Sequence, residues 1–286
     1  MKRYLSYCYI LLAGTLWGII GLFNRSLTAS GFSSFSIVLV RNLGSLIILS
    51  LIFLIFDRSI FRIHPKHLPY FLGTGIVSIL LFTLCYFTCQ QVSSLATAAI
   101  LLYTAPTFVV ILSAILWKDK ITKRKIIALI VTFLGCTFVT GIWSGDFSVT
   151  FIGFLLGIGS GFFYGLYSIF ARYALKYYKP LTVTYYSFVF AGVSSLFVIR
   201  PSELVFGFSQ PKIVLLILGL IVFSTVLPYI FYTKGLAVID SGKASILASI
   251  EPIVAALVGI AIFGEPMNIT VLLGLACILF SVYILR

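Results

Sequence analysis

Residues 232–252 read YTKGLAVIDSGKASILASIEP, and 146 positions earlier residues 86–106 read YFTCQQVSSLATAAILLYTAP. Tyr232, Val238, Ala244, Ile246, Leu247 and Pro252 stand where Tyr86, Val92, Ala98, Ile100, Leu101 and Pro106 stand, and the same register sets Glu265 against Asp119. A shift of 147 lays TLWGIIGLFNR (15–25) on FFYGLYSIFAR (162–172), matching Gly18, Phe23 and Arg25 with Gly165, Phe170 and Arg172. The matches are sparse, yet they keep their order through both halves. They read as an internal duplication.

Composition says what is duplicated. Of the 286 residues 61% are hydrophobic and only 9% charged, against an apolar share of roughly 45–50% in soluble domains, and the mean hydropathy is +1.17. This is an integral membrane chain. Its net charge of +13 sits between long apolar runs, not in a stripe on a soluble surface, so no nucleic-acid partner is expected. The five cysteines (Cys8, Cys85, Cys89, Cys136, Cys277) lie inside apolar runs without ligand spacing and read as small hydrophobes. No metal, cofactor or catalytic constellation is expected. Met1-Lys2-Arg3 before an apolar run mimics a signal peptide, but the run has full span length and more spans follow, so a retained first helix is expected.

A bilayer core takes about 20 apolar residues per helix. Charges, Pro and Gly divide the chain into ten such runs: 5–24, 34–56, 69–90, 95–117, 125–142, 150–171, 182–200, 213–233, 244–263 and 269–285. With the N-terminus inside, Lys2, Arg3, Arg58, Arg62, Lys66, Lys118, Lys120, Lys123, Arg124, Lys125, Arg172, Lys176, Lys179, Lys234, Lys243 and Arg286 face the cytoplasm. Only Arg25, Arg200 and Lys212 fall outside, and Arg41 lies within the second span. That bias supports ten helices with both termini in the cytoplasm of a cell-membrane protein. Five spans per half is an odd number, so the second half inserts upside down. Inverted repeats of this kind are characteristic of secondary transporters, with the substrate near the midplane between halves.

Within the spans a few residues stand out. Gly153, Gly157, Gly161 and Gly165 share one face of the sixth, and Gly14 and Gly18 match the last two in the first; that face allows close helix approach. Pro106 and Pro252 predict matching interruptions in the fourth and ninth, freeing a carbonyl near Tyr103 or Ser249. Six of the seven acids, Asp57, Asp119, Asp146, Glu203, Asp240 and Glu265, fall in loops or at span ends; Glu251 does not. Arg41 is roughly 12 Å deep from the opposite face at 1.5 Å per residue, within reach of Glu251. Two such ions pair with each other, or one or both contact substrate or a coupling proton, or they do neither. Tyr4, Tyr7, Tyr70, Tyr177 and Tyr178 read as an interfacial belt, and His64 and His67 as solvated loop histidines. Candidate substrate-binding residues are Trp17, Arg41, Tyr86, Gln90, Tyr103, Tyr164, Tyr167, Tyr232, Ser249 and Glu251.

The segments TLWGIIGLFNR, VLVRNLG around Arg41, ATAAILLYTAPTFVVILSAILWKDKIT, FFYGLYSIFAR and KASILASIEPIVAALVGIAIFGEPMN together resemble the EamA family of the drug/metabolite transporter superfamily. Glu251-Pro252 followed by Gly264-Glu265-Pro266 is the most specific part. The resemblance implies an all-α fold of ten transmembrane helices as two inverted five-helix EamA repeats, 8–141 and 152–285, with a central cavity formed by spans one to four and six to nine and the fifth and tenth peripheral. It also implies transport of small organic metabolites, frequently export of amino acids. The first half departs from the second: Ala105 stands where Glu251 stands, and Lys118-Asp119-Lys120 replaces Gly-Glu-Pro.

The expected function is therefore secondary transport of a small organic metabolite, an amino acid or related compound, by alternating access. Its expected partners are that small-molecule substrate, the lipid bilayer and a coupling proton on Glu251, with the chain a monomer or homodimer. The competing classes are an intramembrane enzyme and a non-transporting receptor or assembly partner. An enzyme needs converging catalytic groups at depth, and the sequence has one mid-membrane acid and no mid-membrane histidine. A receptor leaves the inverted repeat without a purpose.

Overall fold

A computed structural model describes residues 2–140, 150–198 and 210–285. Asp146, Arg200, Glu203 and Arg286 lie outside the described residues, as do the side chains of Lys2 and Arg3 and the expected unit end at 141. Every regular element among the described residues is helical, as backbone in hydrocarbon requires when no water can pair its polar groups. Among the described residues eight helices are long and apolar enough to cross a membrane: α1 (Tyr4–Ala29), α2 (Ser34–Phe56), α3 (Pro65–Val92), α4 (Leu95–Trp117), α6 (Phe151–Ala174), α7 (Pro180–Val198), α8 (Pro211–Leu236) and α9 (Ser241–Phe263). Where the sequence places the fifth and tenth spans stand α5 (Lys123–Val139) and α10 (Ile269–Leu285), each of 17 residues. They are about 25 Å long at 1.5 Å per residue. α5 and α10 pack chiefly on each other, joined by Thr132 donating to Ser281 at 2.8 Å, at the periphery that the family resemblance implied.

The duplication is visible in the irregularities. α4 is interrupted between Leu102 and Ala105, and α9 between Ala248 and Glu251, each restarting with its proline in the first turn. α3 contains a π-helical stretch at Gly73–Leu80 and α8 one at Val222–Val226, ending at equivalent residues. α4 ends on Lys118 at φ 57° and α9 on its equivalent Gly264 at φ 67°, both left-handed.

Each interrupted helix is covered by a glycine face from the other half. A Cβ at Gly14 would lie 2.7 Å from the Ala248 carbonyl oxygen, and one at Gly18 2.7 Å from that of Glu251. Their equivalents Gly161 and Gly165 put it 2.8 Å from the Leu101 oxygen and 3.2 Å from that of Ala105. The contacts advance together along both helices of each pair, so α1 runs parallel to α9 and α6 to α4. Ser241 donates to the Ser168 carbonyl at 3.5 Å, which sets the C-terminal end of α6 beside the start of α9. The two pairs therefore point in opposite directions, the inversion that an odd span number requires.

The span ends differ from the sequence reading in ways that matter. Arg25 lies within the helical segment Ile20–Ala29, not in a loop. The expected belt residue Tyr178 is instead a structural post. Its hydroxyl accepts from the His64 amide at 2.9 Å and meets His67 Nδ1 at 2.8 Å. His67, expected to be solvated, stacks on Tyr177 at 4.2 Å, because the loop folds back on the α6–α7 turn. Tyr4 does face outward, at 71% exposure.

Replacing Gly18 or Gly161 by Ala is expected to lower stability by about 1–3 kcal/mol, the usual cost of overpacking. Gly21→Ala, where nothing lies within 4 Å of the new carbon, is the control expected to keep the wild-type midpoint. Thermal unfolding of the detergent-purified protein measures all three.

Candidate functional site

The interruption of α9 gives Glu251 the first position of the half-helix Glu251–Phe263. There the unpaired N–H groups and the positive end of the helix dipole favour a carboxylate. Opposite it, Tyr164 of α6 directs its hydroxyl at Glu251 Oε2, 3.5 Å away, a distance at the limit of a hydrogen bond. Trp17, just before the bend in α1 at Ile19, closes the chamber with its ring edge-on to Tyr164 (6.1 Å) and to Tyr229 (5.3 Å), and tilted on Tyr232 (5.3 Å). Phe82 of α3 packs on Tyr164 at 5.1 Å and on Tyr86 at 6.4 Å. Gln90 lies one turn beyond Tyr86 on the same helix.

Arg41 enters from α2. It is buried, with 7% of its surface exposed, and its Nε has no hydrogen-bond partner. Its charge lies within electrostatic range of Tyr229, Tyr164 and Glu251. The ion pairs among the described residues are Arg25–Glu265, Lys125–Asp240 and Arg172–Asp119. Arg41 and Glu251 thus share one chamber without forming a direct pair, so of the sequence readings the structural salt bridge is the one the geometry does not produce.

The other candidates separate into two groups. Tyr86 and Tyr103 are within range of the Glu251 charge, with Tyr103 seated in the break of α4 against Cys136, Ile253 and Ile278. Tyr167, Tyr232 and Ser249 are buried with their hydroxyls committed to protein. Tyr167 meets Thr233 at 2.8 Å, Tyr232 meets Ser168 at 2.7 Å, and Ser249 points to the Ser245 carbonyl at 3.4 Å. They hold α6, α8 and α9 in place beneath the chamber.

Tyr229 was missed by sequence reasoning. It touches Trp17, Tyr167 and Phe188 (5.3, 5.0 and 5.2 Å) and senses both Arg41 and Glu251. The signal was its position three residues before Tyr232 on one helix face; the repeat hid it, since its equivalent is Thr83.

An all-helical inverted-repeat fold, with one buried arginine and one half-buried carboxylate in an aromatic chamber at the helix breaks, defines a multi-pass membrane transporter. The EamA-like transporter family matches the chain twice, over residues 4–141 and 151–286. The chain belongs to that family. An uncharacterized transporter of Archaeoglobus fulgidus is 32% identical over 199 residues, 70% of each chain. YyaM of Bacillus subtilis, an uncharacterized transporter, is 26% identical across 96% of this chain and 92% of its own, and the uncharacterized inner membrane transporter YicL of Salmonella typhimurium 28% across 96% and 93%. A solved crystal structure superposes with a TM-score of 0.84 at 16% identity, covering 99% of this chain and 96% of that one. It shares the fold.

Because Tyr232 supplies the partner of the buried Ser168 hydroxyl, Tyr232→Phe is expected to cost about 1–3 kcal/mol of stability, the usual penalty for stranding a buried polar group. Its ligand-induced thermal shift is expected to match wild type. A shift lost together with unchanged stability would return Tyr232 to the binding set.

Proposed function

We infer that the chain is a secondary transporter that moves an amino acid or closely related zwitterion out of the cell by alternating access. In this reading it sits in the cell membrane with both termini in the cytoplasm and works as two inverted five-helix units, 8–141 and 152–285. The observation that carries the substrate class is the unpaired state of Arg41 and Glu251 in one chamber. Ionised groups in mid-membrane cost several kcal/mol unless partnered, and neither has a partner ion among the described residues. A zwitterion supplies both at once. Its carboxylate takes the Arg41 fork, and its ammonium lies between Glu251 and the faces of Trp17 and Tyr164, where cation–π attraction adds to the charge. Export is the direction the family's habit suggests, and a carboxylate at this depth also serves to carry a coupling proton.

Flux of radiolabelled amino acids in proteoliposomes, with and without a pH gradient, tests this reading. Arg41→Gln and Glu251→Gln are each expected to lower flux by about tenfold to a hundredfold, the loss of one charge-assisted contact. Undiminished, still gradient-driven flux in Glu251→Gln removes the carboxylate from the mechanism. Stabilisation by a nucleoside or vitamin, with none by any amino acid, replaces the substrate class.

A further inference from the structure

Two ion pairs outside the chamber are images of each other under the repeat. Arg172 at the end of α6 donates to Asp119, just past α4, by two bonds of 2.5 and 3.2 Å, and its guanidinium lies over Trp117 at 4.3 Å. Arg25 near the end of α1 donates to Glu265, just past α9, at 2.5 Å, and lies over Phe263 at 4.7 Å. Every member has its equivalent: Arg25 with Arg172, Glu265 with Asp119, Phe263 with Trp117. Each pair joins an arginine of one half to an acid of the other, and the two stand at opposite ends of the bundle, since the end of α6 lies beside the start of α9.

We propose that these two pairs are the gates of the transport cycle, one at each membrane face, and that each parts when the chamber opens to its side. This rests on the alternating-access reading above, not on the substrate class. The lever is the second half of each interrupted helix. Glu251–Phe263 carries the chamber carboxylate at one end and Glu265 just past the other, and Ala105–Trp117 connects the break beside Tyr103 to Asp119 in the same way. A ligand engaging Glu251 therefore pulls on a rigid segment whose far end is a gate. Beyond its left-handed cap the Glu265 amide bonds back to the Gly259 carbonyl at 3.2 Å, as the Asp119 amide does to Ser113 at 3.4 Å. The acids are thus fixed to the levers and not to free loops.

The gates are unequal. The side chains of Arg172 and Asp119 are 25% and 18% exposed, those of Arg25 and Glu265 54% and 43%. At the Arg172 end a second cross-half pair, Lys125–Asp240 at 2.9 Å, adds a lysine only 7% exposed. Its equivalents, Val271 and Ser94, carry no charge. Exposed single-contact pairs hold little, while breaking a buried one strands a charge. The Arg25–Glu265 end is the one that opens first in the ligand-free protein.

The test needs no transported ligand. In a variant with all five native cysteines replaced by Ala and a reporter Tyr103→Cys, a membrane-impermeant methanethiosulfonate is applied to either face of the membrane. Glu265→Gln is expected to raise reporter labelling up to roughly fivefold from the Arg25 face alone, the population shift an exposed pair can carry. Asp119→Asn is expected to raise it from the opposite face alone. The charge-swapped pair, Arg25→Glu with Glu265→Arg, is expected to return labelling to background, which separates a lost gate from a damaged fold. Unchanged labelling, a rise from both faces at once, or no recovery in the swapped pair overturns the gates. An absence of amino-acid flux overturns the substrate class and leaves this result standing.

Discussion

A helix broken inside a membrane exposes carbonyl oxygens that no water is there to satisfy, so it persists only where protein covers it. Here the covering surface is the backbone-close face of a second helix. Gly14 and Gly18 bring α1 against the break of α9, and Gly161 and Gly165 bring α6 against that of α4, with no room for a methyl group at most of these positions. Everything else is hung on those two crossings. The breaks place Glu251 and Tyr103 at helix ends, and the parallel course of each pair fixes which side chains meet across the chamber.

On this symmetric frame the chemistry is one-sided. Glu251 has Ala105 as its equivalent and Tyr229 has Thr83, so the carboxylate and the Tyr229 ring come from the second half alone. The proposed zwitterionic substrate has two unlike ends, and a chamber with twin carboxylates would bind it less well than one carboxylate facing one arginine. The duplication supplies the moving parts, and divergence within it supplies the discrimination.

Most of the frame was legible in the sequence because it is written in residue types with few alternatives. Pro106 and Pro252 forced the breaks, the glycine faces forced the close crossings, and the charge bias divided the spans. The chamber was legible only in part. Trp17, Arg41, Tyr164 and Glu251 stood out as polar or aromatic residues deep in apolar runs. Tyr167 and Tyr232 look the same in sequence, yet the Thr233 and Ser168 partners that engage them sit across helices at angles no periodicity reveals, while Ser249 bonds back one turn to the Ser245 carbonyl. Tyr229 was lost for the opposite reason, since the repeat that exposed other positions gave it an unlike twin. Whether Arg41 would meet Glu251 depended on lateral placement of α2 against α9, which depth alone does not determine.

The divergence between the halves also follows from the inversion itself. Residues 118–125 read KDKITKRK, and their equivalents 264–271 read GEPMNITV: five cations against none, with the acid kept in both. In the proposed orientation, with both termini in the cytoplasm, these homologous turns lie in opposite leaflets, and only one faces the side where lysine and arginine are retained. Gly264 meets the left-handed cap without strain, whereas Lys118 adopts φ 57° at a cost of about 1–2 kcal/mol. The inner turn thus accepts backbone strain where a glycine would have none, and gains a cation on the face that anchors topology. That face also holds Lys125 against Asp240. On the proposed orientation and gating, the charge asymmetry that orients the chain in the membrane is the same asymmetry that makes one end of the bundle harder to open than the other.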